Sequence, residues 1–248
     1  MDATITEIAP DVFRISVAPP GSPVSYGCFL IRDEQPAMVE TGLRGMYDLV
    51  HGAVRRLVDP STLRYLLIPH FEMDECGSLN QFLAAAPRAE PVSSPLGGMV
   101  TLPDFSERRP TVLGHGETLA LGRKTLRAVV TPWVHYWDSM LVYDETDRLL
   151  FTSDLFMQPG DREPITGDDR SAEVVEFCRV SGLLPSQKHL EVALDRIEPL
   201  AVETLACHHG SVLAGDPRRY YRALRENVVG DVVDSPFYAM RQQQAAGY

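Results

Sequence analysis

Residues 69–79 read PHFEMDECGSL and follow the apolar run YLLI at residues 65–68. Within six consecutive positions the stretch holds one imidazole and three carboxylates, on His70, Glu72, Asp74 and Glu75. The apolar run is typical of a buried strand, and charged groups beside a buried strand cost free energy unless they are paired or bind a cation. Three neighbouring carboxylates also repel one another. The stretch therefore predicts a cation site at the C-terminal end of a buried strand.

The composition is typical of a globular protein. The chain has 248 residues, of which 44% are hydrophobic and 23% charged, and this suffices for the core of one layered α/β domain. The formal net charge of -11 argues against a nucleic-acid partner, since such a partner requires a basic surface. No stretch approaches the ~20 apolar residues of a membrane-spanning helix, so we expect no membrane segment.

The N-terminal residues and the cysteines indicate the cellular compartment in which we expect the protein. The segment MDATITE at residues 1–7 lacks the basic and apolar regions of a signal peptide. The four cysteines form no CxxC pair, which is typical of reduced thiols. We therefore predict a cytoplasmic protein, and we interpret Cys76 as a packing residue because no basic residue adjoins it.

Strand-like and helix-like segments alternate along the chain. Strands are predicted at residues 12–17, 28–31, 37–40, 65–68, 125–130, 139–143, 149–152 and 200–206, and helices at residues 47–57, 79–86 and 218–229. Two irregular segments, 87–117 and 156–185, are long enough to form pocket walls, and the second is predicted to contain helical pieces. Residues 242–248 are predicted to be a frayed end. The alternation predicts a layered α/β fold, in which functional residues gather where strands end.

Three later strand ends also present residues that bind metals. The segment TPWVHYWDSM at residues 131–140 carries His135, FTSD ends at Asp154, and CHHG carries His209. Alone, each histidine is more simply a hydrogen-bonded structural residue, and Asp154 could cap a helix. Four strand ends that all present such residues are harder to explain by packing, so we predict one shared site. The residues without such a context are interpreted as structural or surface residues: Glu40, His51, His115 and His189.

The order of these motifs resembles a known family. The pattern His-x-Glu-x-Asp-x-x-Gly, then Thr-Pro-x-x-His-x-x-Asp-Ser-Met, then Ser-Asp, then His-Gly resembles the metallo-β-lactamase fold. More narrowly, it resembles the diiron domain of flavodiiron proteins and oxygen-binding diiron proteins, because Glu72 stands where the hydrolases of this fold usually have histidine. The resemblance covers roughly residues 5–230. It implies a four-layer αββα sandwich, with residues 1–248 as a single domain.

The resemblance also implies a pair of metal ions. His70, Glu72 and His135 would bind the first metal, Asp154 would bridge, and Asp74 and His209 would bind the second. Glu75 stands where the family has another histidine. Either Glu75 replaces that ligand, or it points away and leaves a water. Tyr136 and His208 are candidates for residues that contact a ligand without binding the metal, by orienting that ligand or donating a proton. A purely structural role is equally open for His208.

This ligand set favours particular metals. It contains imidazoles and carboxylates but no thiolate, which suits iron or manganese better than a soft-ligand zinc site. Zinc prefers four ligands in tetrahedral geometry. We therefore expect two iron ions, with manganese or zinc as the alternatives. Because Glu75 adds negative charge, we also expect it to lower the reduction potential relative to a Glu75→His variant.

Three functions are open at this stage. The first is a nonheme diiron protein that binds and reduces O2 or NO. No FMN-binding flavodoxin domain is recognised in this chain, so we expect electrons from a separate flavodoxin-like or rubredoxin-like protein. The second is a metal-dependent hydrolase, in which a metal-bound hydroxide attacks a carbonyl. The third is a non-catalytic sensor of diatomic gases. The resemblance further suggests a homodimer.

Overall fold

The computed structural model describes residues 2–236. The predicted frayed end at residues 242–248 lies outside the described residues. The described part forms fourteen strands and seven helices. The strands are β1 Thr4–Ala9, β2 Val12–Val17, β3 Tyr26–Ile31, β4 Ala37–Val39, β5 Tyr65–Leu67, β6 Glu90–Ser93, β7 Thr111–Val112, β8 Thr118–Ala120, β9 Thr125–Val130, β10 Met140–Asp144, β11 Leu149–Ser153, β12 Ile165–Thr166, β13 Thr204–Cys207 and β14 Val212–Ala214. The helices are α1 Tyr47–Val54, α2 Met73–Cys76, α3 Leu79–Ala85, α4 Leu102–Phe105, α5 Ser171–Ser181, α6 Gln187–Ile197 and α7 Arg218–Glu226.

The strands form two mixed seven-stranded sheets. The first sheet follows chain order from β1 to β7. Its first four strands are antiparallel neighbours, and β4 to β7 are parallel. The second sheet has the order β12-β14-β13-β11-β10-β9-β8, with β11 parallel to β13. Because β4 and β5 run in parallel, as do β11 and β13, the C-terminal ends within each pair lie at the same edge of their sheet.

Side-chain alternation stacks the two sheets between two helical layers. In β2, Phe13 and Ile15 pack with α1 and α3 on one face of the first sheet. On the opposite face, Phe29 of β3 packs with Phe151 of β11 between the sheets. The outer face of the second sheet packs against α5, α6 and α7, where Leu194 is fully buried. The predicted four-layer αββα sandwich is confirmed.

Backbone hydrogen bonds join the two sheets beside the predicted metal site. Met140 N–H donates to Pro69 O at 2.9 Å, directly before His70. Gly27 N–H donates to His208 O, also at 2.9 Å. A Cβ at position 27 would lie 2.9 Å from the same oxygen, so only glycine allows this approach. These contacts bring the strand ends of both sheets together.

Most predicted elements occur within a few residues of their expected positions, but several elements were not predicted. Residues 12–17 and 125–130 form strands with the expected bounds. The strand expected at residues 200–206 begins only at Thr204, and the helix expected at residues 218–229 ends at Glu226 because Asn227 has an extended backbone. The elements that were not predicted are β1, β6, β7, β8, β12, β14, α2, α4, α6 and the π-helical turn at Gly97–Thr101. Helix α5 lies within residues 156–185, where helical pieces were expected.

The described helices bear on the membrane prediction. Among residues 2–236, no helix combines the length and the apolar character needed to cross a membrane.

Candidate metal centre

Four side chains from three strand ends form the first ligand cluster. His70 and Glu72 follow β5, His135 lies in the loop between β9 and β10, and Asp154 directly follows β11. One ligand atom from each of these residues lies within 4.8 Å of all the others. His135 Nε2 is 2.9 Å from Asp154 Oδ2 and 3.2 Å from Glu72 Oε2. His70 Nε2 is 3.2 Å from the same Glu72 oxygen.

A second ligand cluster adjoins the first. It consists of Asp74 on α2 together with His208 and His209, which follow β13. Asp74 Oδ2 is 3.4 Å from His209 Nε2 and 3.6 Å from His208 Nε2. Sequence reasoning placed Asp74 and His209 in this position but held His208 back as a residue behind the ligands.

Asp154 connects the two clusters. Its Oδ2 faces His135 Nε2 at 2.9 Å and His70 Nε2 at 3.4 Å, on the side of the first cluster. Its Oδ1 lies 3.3 Å from His209 Nε2, on the side of the second. A carboxylate whose two oxygens face two adjacent sets of imidazoles has the geometry to bridge a pair of cations.

Hydrogen bonds at Nδ1 aim the Nε2 atoms of three histidines into the centre. His209 Nδ1–H donates to the carbonyl oxygen of Ser25 at 2.7 Å. His208 Nδ1–H donates to Glu40 Oε2 at 2.8 Å. His70 Nδ1 lies 3.2 Å from Ser153 Oγ, whose own hydroxyl donates to Glu75, so the serine oxygen accepts from His70. Such partners orient metal-binding imidazoles in proteins.

Glu75 is fully buried on the side of the first cluster. Its Oε1 accepts a 2.6 Å hydrogen bond from Ser153 Oγ, and its Oε2 lies 2.8 Å from His70 Nε2. The neighbouring Ser153 has a positive φ of 49°, an uncommon and strained backbone conformation. Glu75 thus contacts the candidate ligand His70 and lies within 4.8 Å of Glu72 and Asp74. Whether it binds a metal or leaves that place to a water stays a prediction.

Several buried polar atoms in the centre have no hydrogen-bond partner. They are Glu40 Oε1, Glu75 Oε2, Asp154 Oδ1 and His208 Nε2. Buried polar atoms are almost always satisfied, and leaving one unpaired costs free energy. The last three atoms lie among the candidate ligands, at 2.8 Å from His70 Nε2, 3.3 Å from His209 Nε2 and 3.6 Å from Asp74 Oδ2 respectively. All three are chemical types that bind iron, manganese or zinc. The donor set therefore fits a pair of metal ions.

Without a bound metal, the surroundings raise the pKa of three histidines of the centre: His70, His135 and His208. Burial lowers the pKa of His70, but the charge of Glu75 and the contact with Glu72 outweigh it and raise this pKa well above its ordinary value. Burial also lowers the pKa of His135, but hydrogen bonds that His135 donates to Asp154 and Glu72 outweigh burial and raise this pKa to about 9. His208 follows the same pattern: the charge of Glu40 outweighs burial and raises its pKa.

The pKa values of the carboxylates shift in two directions: those of Asp74 and Asp154 are lowered, and that of Glu75 is raised. Burial raises the pKa of Asp74 and of Asp154, but contacts with the surrounding histidines outweigh burial and hold both values below the usual range. Burial raises the pKa of Glu75 to about 8, and the charge of His70 opposes that rise without cancelling it. A cation in the centre would compete with these protons, because metals bind deprotonated ligands.

Tyr136 lies between two openings beside the centre. Its ring stacks on His70 with centroids 4.9 Å apart and meets the ring of His135 edge-on. One cavity of about 600 Å³ borders Glu72 and Asp74 and is otherwise largely apolar; its remaining lining residues are Tyr26, Leu43, Phe71, Met73 and Tyr136. The other, of about 580 Å³, borders His135 and includes Trp137. Residues 156–185 were predicted to form a pocket wall. Of this segment, Leu183 and Pro185 near its C-terminal end line the second cavity.

Sequence reasoning missed one side chain in this region. Glu40 directly follows β4, is fully buried, and contacts His208 across the two sheets. Its position at the end of a strand was the signal that could have revealed it, because the other candidate residues share that position. The remaining histidines lie apart from the centre: His51 stacks on Tyr47, while His115 and His189 are exposed.

Comparison with known proteins assigns the family. A family model described as ODP family beta lactamase matches residues 24–210. The chain belongs to this family. Its relatives include flavodiiron proteins, such as Flavo-diiron protein FprA2 of Clostridium acetobutylicum, which is 24% identical over 76% of this chain and 49% of that protein. The resemblance that the motifs predicted is confirmed.

Other relatives of this ODP family member cover it to a similar extent. Diflavin flavoprotein A 1 of Nostoc sp. is 32% identical over 197 residues, which is 76% of this chain and 34% of that protein. The nitric oxide reductase of Moorella thermoacetica is 26% identical over 210 residues, which is 80% of this chain and 52% of that protein. The chain thus spans about a third to a half of the length of these curated relatives.

Solved structures share the fold. The rubredoxin oxygen:oxidoreductase of Desulfovibrio gigas superposes with a TM-score of 0.80 at 21% identity, over 90% of this chain and 61% of that chain. The metal-soaked Flv1 flavodiiron core of Synechocystis sp. gives a TM-score of 0.77 at 22% identity, over 98% of this chain and 62% of that chain. The ODP family member therefore has the metallo-β-lactamase fold.

Proposed function

We propose that this protein is a nonheme diiron protein that binds and reduces O2 or NO. The observation that carries the proposal is the orientation of Asp154: its Oδ2 faces the first ligand cluster and its Oδ1 faces the second. An oxygen-rich pair of sites bridged by a carboxylate suits two iron ions better than zinc. The names of two relatives, nitric oxide reductase and rubredoxin-oxygen oxidoreductase, support the same chemistry.

The proposal assigns ligands as follows. His70, Glu72 and His135 bind the first iron, Asp154 bridges, and Asp74 and His209 bind the second. Glu72 supports iron in particular, because its carboxylate adds an oxygen ligand and negative charge. The short distances from Glu72 Oε2 to His70 Nε2 and His135 Nε2, both 3.2 Å, support its membership of the first site.

The surrounding side chains suit a small apolar substrate. When bound, two ferrous ions supply two electrons, and the balanced reduction of two NO also takes up two protons and yields N2O and water. Tyr26, Leu43 and Phe71 give the cavity beside Glu72 and Asp74 an apolar wall. Such a wall admits a diatomic gas and disfavours charged solutes. The ring of Tyr136, stacked on His70, restricts how that imidazole turns.

Continued turnover requires an external electron donor. We include in the proposal a flavodoxin-like or rubredoxin-like protein in a reducing cytoplasm, and the four free, buried cysteines are consistent with that compartment. The name of the Megalodesulfovibrio gigas relative, rubredoxin-oxygen oxidoreductase, supports a rubredoxin-like donor. A homodimer and the single-domain extent of residues 1–248 stay predictions.

Metal analysis and gas consumption test the proposal. The protein is purified without added metal, its iron, manganese and zinc are quantified, and the metal-free form is then loaded anaerobically with Fe2+. We expect about two iron ions per chain, near-ultraviolet absorption after oxidation, and consumption of O2 or NO when a reductase and rubredoxin are supplied. An exposed-site variant, His115→Ala, serves as the matched control.

Two results would count against the proposal. Bound zinc together with hydrolysis of generic esters would indicate the hydrolase instead. Stoichiometric gas binding by the diiron form, without consumption under any donor, would indicate the sensor. Each result leaves the fold unchanged and replaces only the chemistry.

A further inference from the structure

The geometry points to His208 as a ligand of the second metal ion, in place of the imidazole that is absent at position 75. In this assignment Asp74, His208 and His209 bind the second metal together with the bridging Asp154, and Glu40 orients His208. The inference rests on the proposed two-metal centre, and it concerns which of this chain's own side chains complete that centre.

The first support is the unpartnered ring nitrogen of His208. The residue is fully buried, and its Nε2 has no hydrogen-bond partner. This atom lies 3.6 Å from Asp74 Oδ2, too far for a good hydrogen bond but suitable for two ligands of one ion. The ring centroids of His208 and His209 are 4.4 Å apart, so the two imidazoles approach the same point.

The second support is the carboxylate behind the ring. Glu40 Oε2 accepts from His208 Nδ1 at 2.8 Å, and both side chains are fully buried. This hydrogen bond keeps the proton on Nδ1 and leaves Nε2 able to bind a metal, which is the arrangement behind many metal-binding histidines. Glu40 has a positive φ of 66°, an uncommon conformation for glutamate that strained functional sites tolerate.

The third support is the direction taken by Glu75. Its two oxygens meet Ser153 Oγ at 2.6 Å and His70 Nε2 at 2.8 Å, both on the side of the first cluster. Glu75 Oε2 therefore faces the first metal position, although a carboxylate oxygen of Glu75 also lies within 4.8 Å of one of Asp74. With Glu75 turned toward the first position, the second position would keep only Asp74, Asp154 and His209 without His208. A hydrogen bond from Gly27 N–H to His208 O, at 2.9 Å, holds the His208 backbone in place beside the second cluster.

Cobalt loading tests this assignment without relying on activity. The metal-free protein is loaded with Co2+, metal content is measured, and proton NMR records exchangeable ring N–H signals shifted by the paramagnetic ion. We expect about two Co2+ per chain in the wild type. We also expect a shifted N–H signal from His208 that moves in Glu40→Gln and disappears in His208→Ala.

Matched variants separate His208 from Glu75. We expect His208→Ala to fall to about one Co2+ per chain, while Glu75→Gln and the exposed control His115→Ala keep about two. Glu40→Gln should keep the ring but weaken the second Co2+ by roughly 10- to 100-fold, the usual cost of removing a partner behind a metal ligand. Circular dichroism confirms folding; if His208→Ala is unfolded, the N–H signals of wild type and Glu40→Gln decide the question.

The outcomes distinguish this inference from the proposed function. If His208→Ala keeps two Co2+ and all shifted N–H signals, His208 is not a ligand, and the two-metal centre stands without it. If Glu75→Gln alone loses the second Co2+, Glu75 is the ligand and the inference is overturned. If the wild type itself binds fewer than two Co2+, the two-metal centre fails and this inference fails with it.

Discussion

At the scale of single residues, the centre depends on which atom of each side chain faces inward. Asp154 turns one oxygen toward His135 and the other toward His209. Glu75 satisfies one oxygen with Ser153 and leaves the other beside His70. These orientations determine the charge and the number of ligands at each proposed metal position more directly than residue type does. Two substitutions test them.

Replacing the bridging carboxylate should empty both metal positions. Asp154→Ala removes a ligand from each cluster at once, so we expect metal content to fall from about two ions per chain to well below one. Elemental analysis of the purified variant measures this. Asp168→Ala is the control, because the Asp168 side chain is 82% exposed and remote from the histidines. Full occupancy in Asp154→Ala would show that Asp154 does not bridge.

Removing the charge of Glu75 should raise the reduction potential of the metal pair. A carboxylate near the first metal favours the more positive, oxidised state, and Glu75→Gln keeps the size and the contact with Ser153 while removing that charge. We expect an increase of about 60 mV, which corresponds to a tenfold shift in a one-electron equilibrium. An anaerobic redox titration of the iron-loaded proteins measures it. An unchanged or lower potential in the variant would contradict the idea.

At the scale of elements, helices on the outer faces hold the strands whose ends carry the ligands. In α6, Leu190, Ala193, Leu194 and Ile197 form a buried stripe against the second sheet. The Ser186 side chain accepts a hydrogen bond from His189 N–H and caps the helix. The spacing of that stripe follows the helical period, so residues 187–197 carry a local signal for α6 although no helix was predicted there.

Truncating the buried stripe of α6 should destabilise the protein. Leu194 is fully buried, so Leu194→Ala leaves a cavity and should lower the free energy of unfolding by roughly 2–5 kcal/mol. The matched control Val192→Ala lies on the same helix but is 40% exposed, and we expect a change within about 0.5 kcal/mol. Chemical denaturation of both metal-free variants provides the values. Equal losses would mean that α6 does not pack as described.

At the scale of the whole molecule, protons and metals compete for one centre. The chain carries a formal net charge of -11, and several of its carboxylates converge with four histidines in a buried space. Without metal, the raised pKa values of His70, His135 and His208 let protons on these three side chains balance part of the carboxylate charge. Stability and metal content must therefore depend on pH together.

Metal-free protein should lose stability as pH rises from about 6.5 to about 9. The pKa of His135 is raised to about 9 and that of Glu75 to about 8, so the folded state keeps protons that the unfolded chain releases. A raised folded-state pKa stabilises fully below the unfolded value, about 6.5 for histidine and about 4.3 for glutamate, and this contribution disappears as pH passes the folded value. The loss due to Glu75 therefore begins at lower pH, and between about pH 6.5 and about pH 8 both groups lose their contributions. We expect the melting temperature to fall by several degrees across this window.

Metal-loaded protein should show the opposite trend in the same window. Metals bind deprotonated ligands, so the stabilisation by bound Co2+ grows as pH rises. Thermal unfolding followed by circular dichroism at stepped pH, with and without Co2+, measures both trends, and chelation should restore the metal-free trend. A metal-free melting temperature that rises through this window would contradict the assignment of protons to these groups.

Much of the fold and the candidate site could be predicted from local sequence. Apolar runs such as residues 12–17 and 65–68 indicated strands because burial imposes a pattern on neighbouring residues. Short strands such as Thr111–Val112 and Ile165–Thr166 escaped prediction because two residues carry no periodicity. The late start of β13 was missed because residues 200–202, Leu-Ala-Val, form an apolar run like that of a strand but precede the paired residues, which begin at Thr204.

The sequence by itself determined the kinds of candidate ligand, their order along the chain and their positions at strand ends, because each depends only on nearby residues. Only the tertiary structure decided which atoms face one another. Glu40 and His208 are separated by 168 positions, and they meet because the two sheets stack with their strand ends at one edge. Local pattern cannot report such a contact, since it depends on how two distant strands are packed across the sandwich.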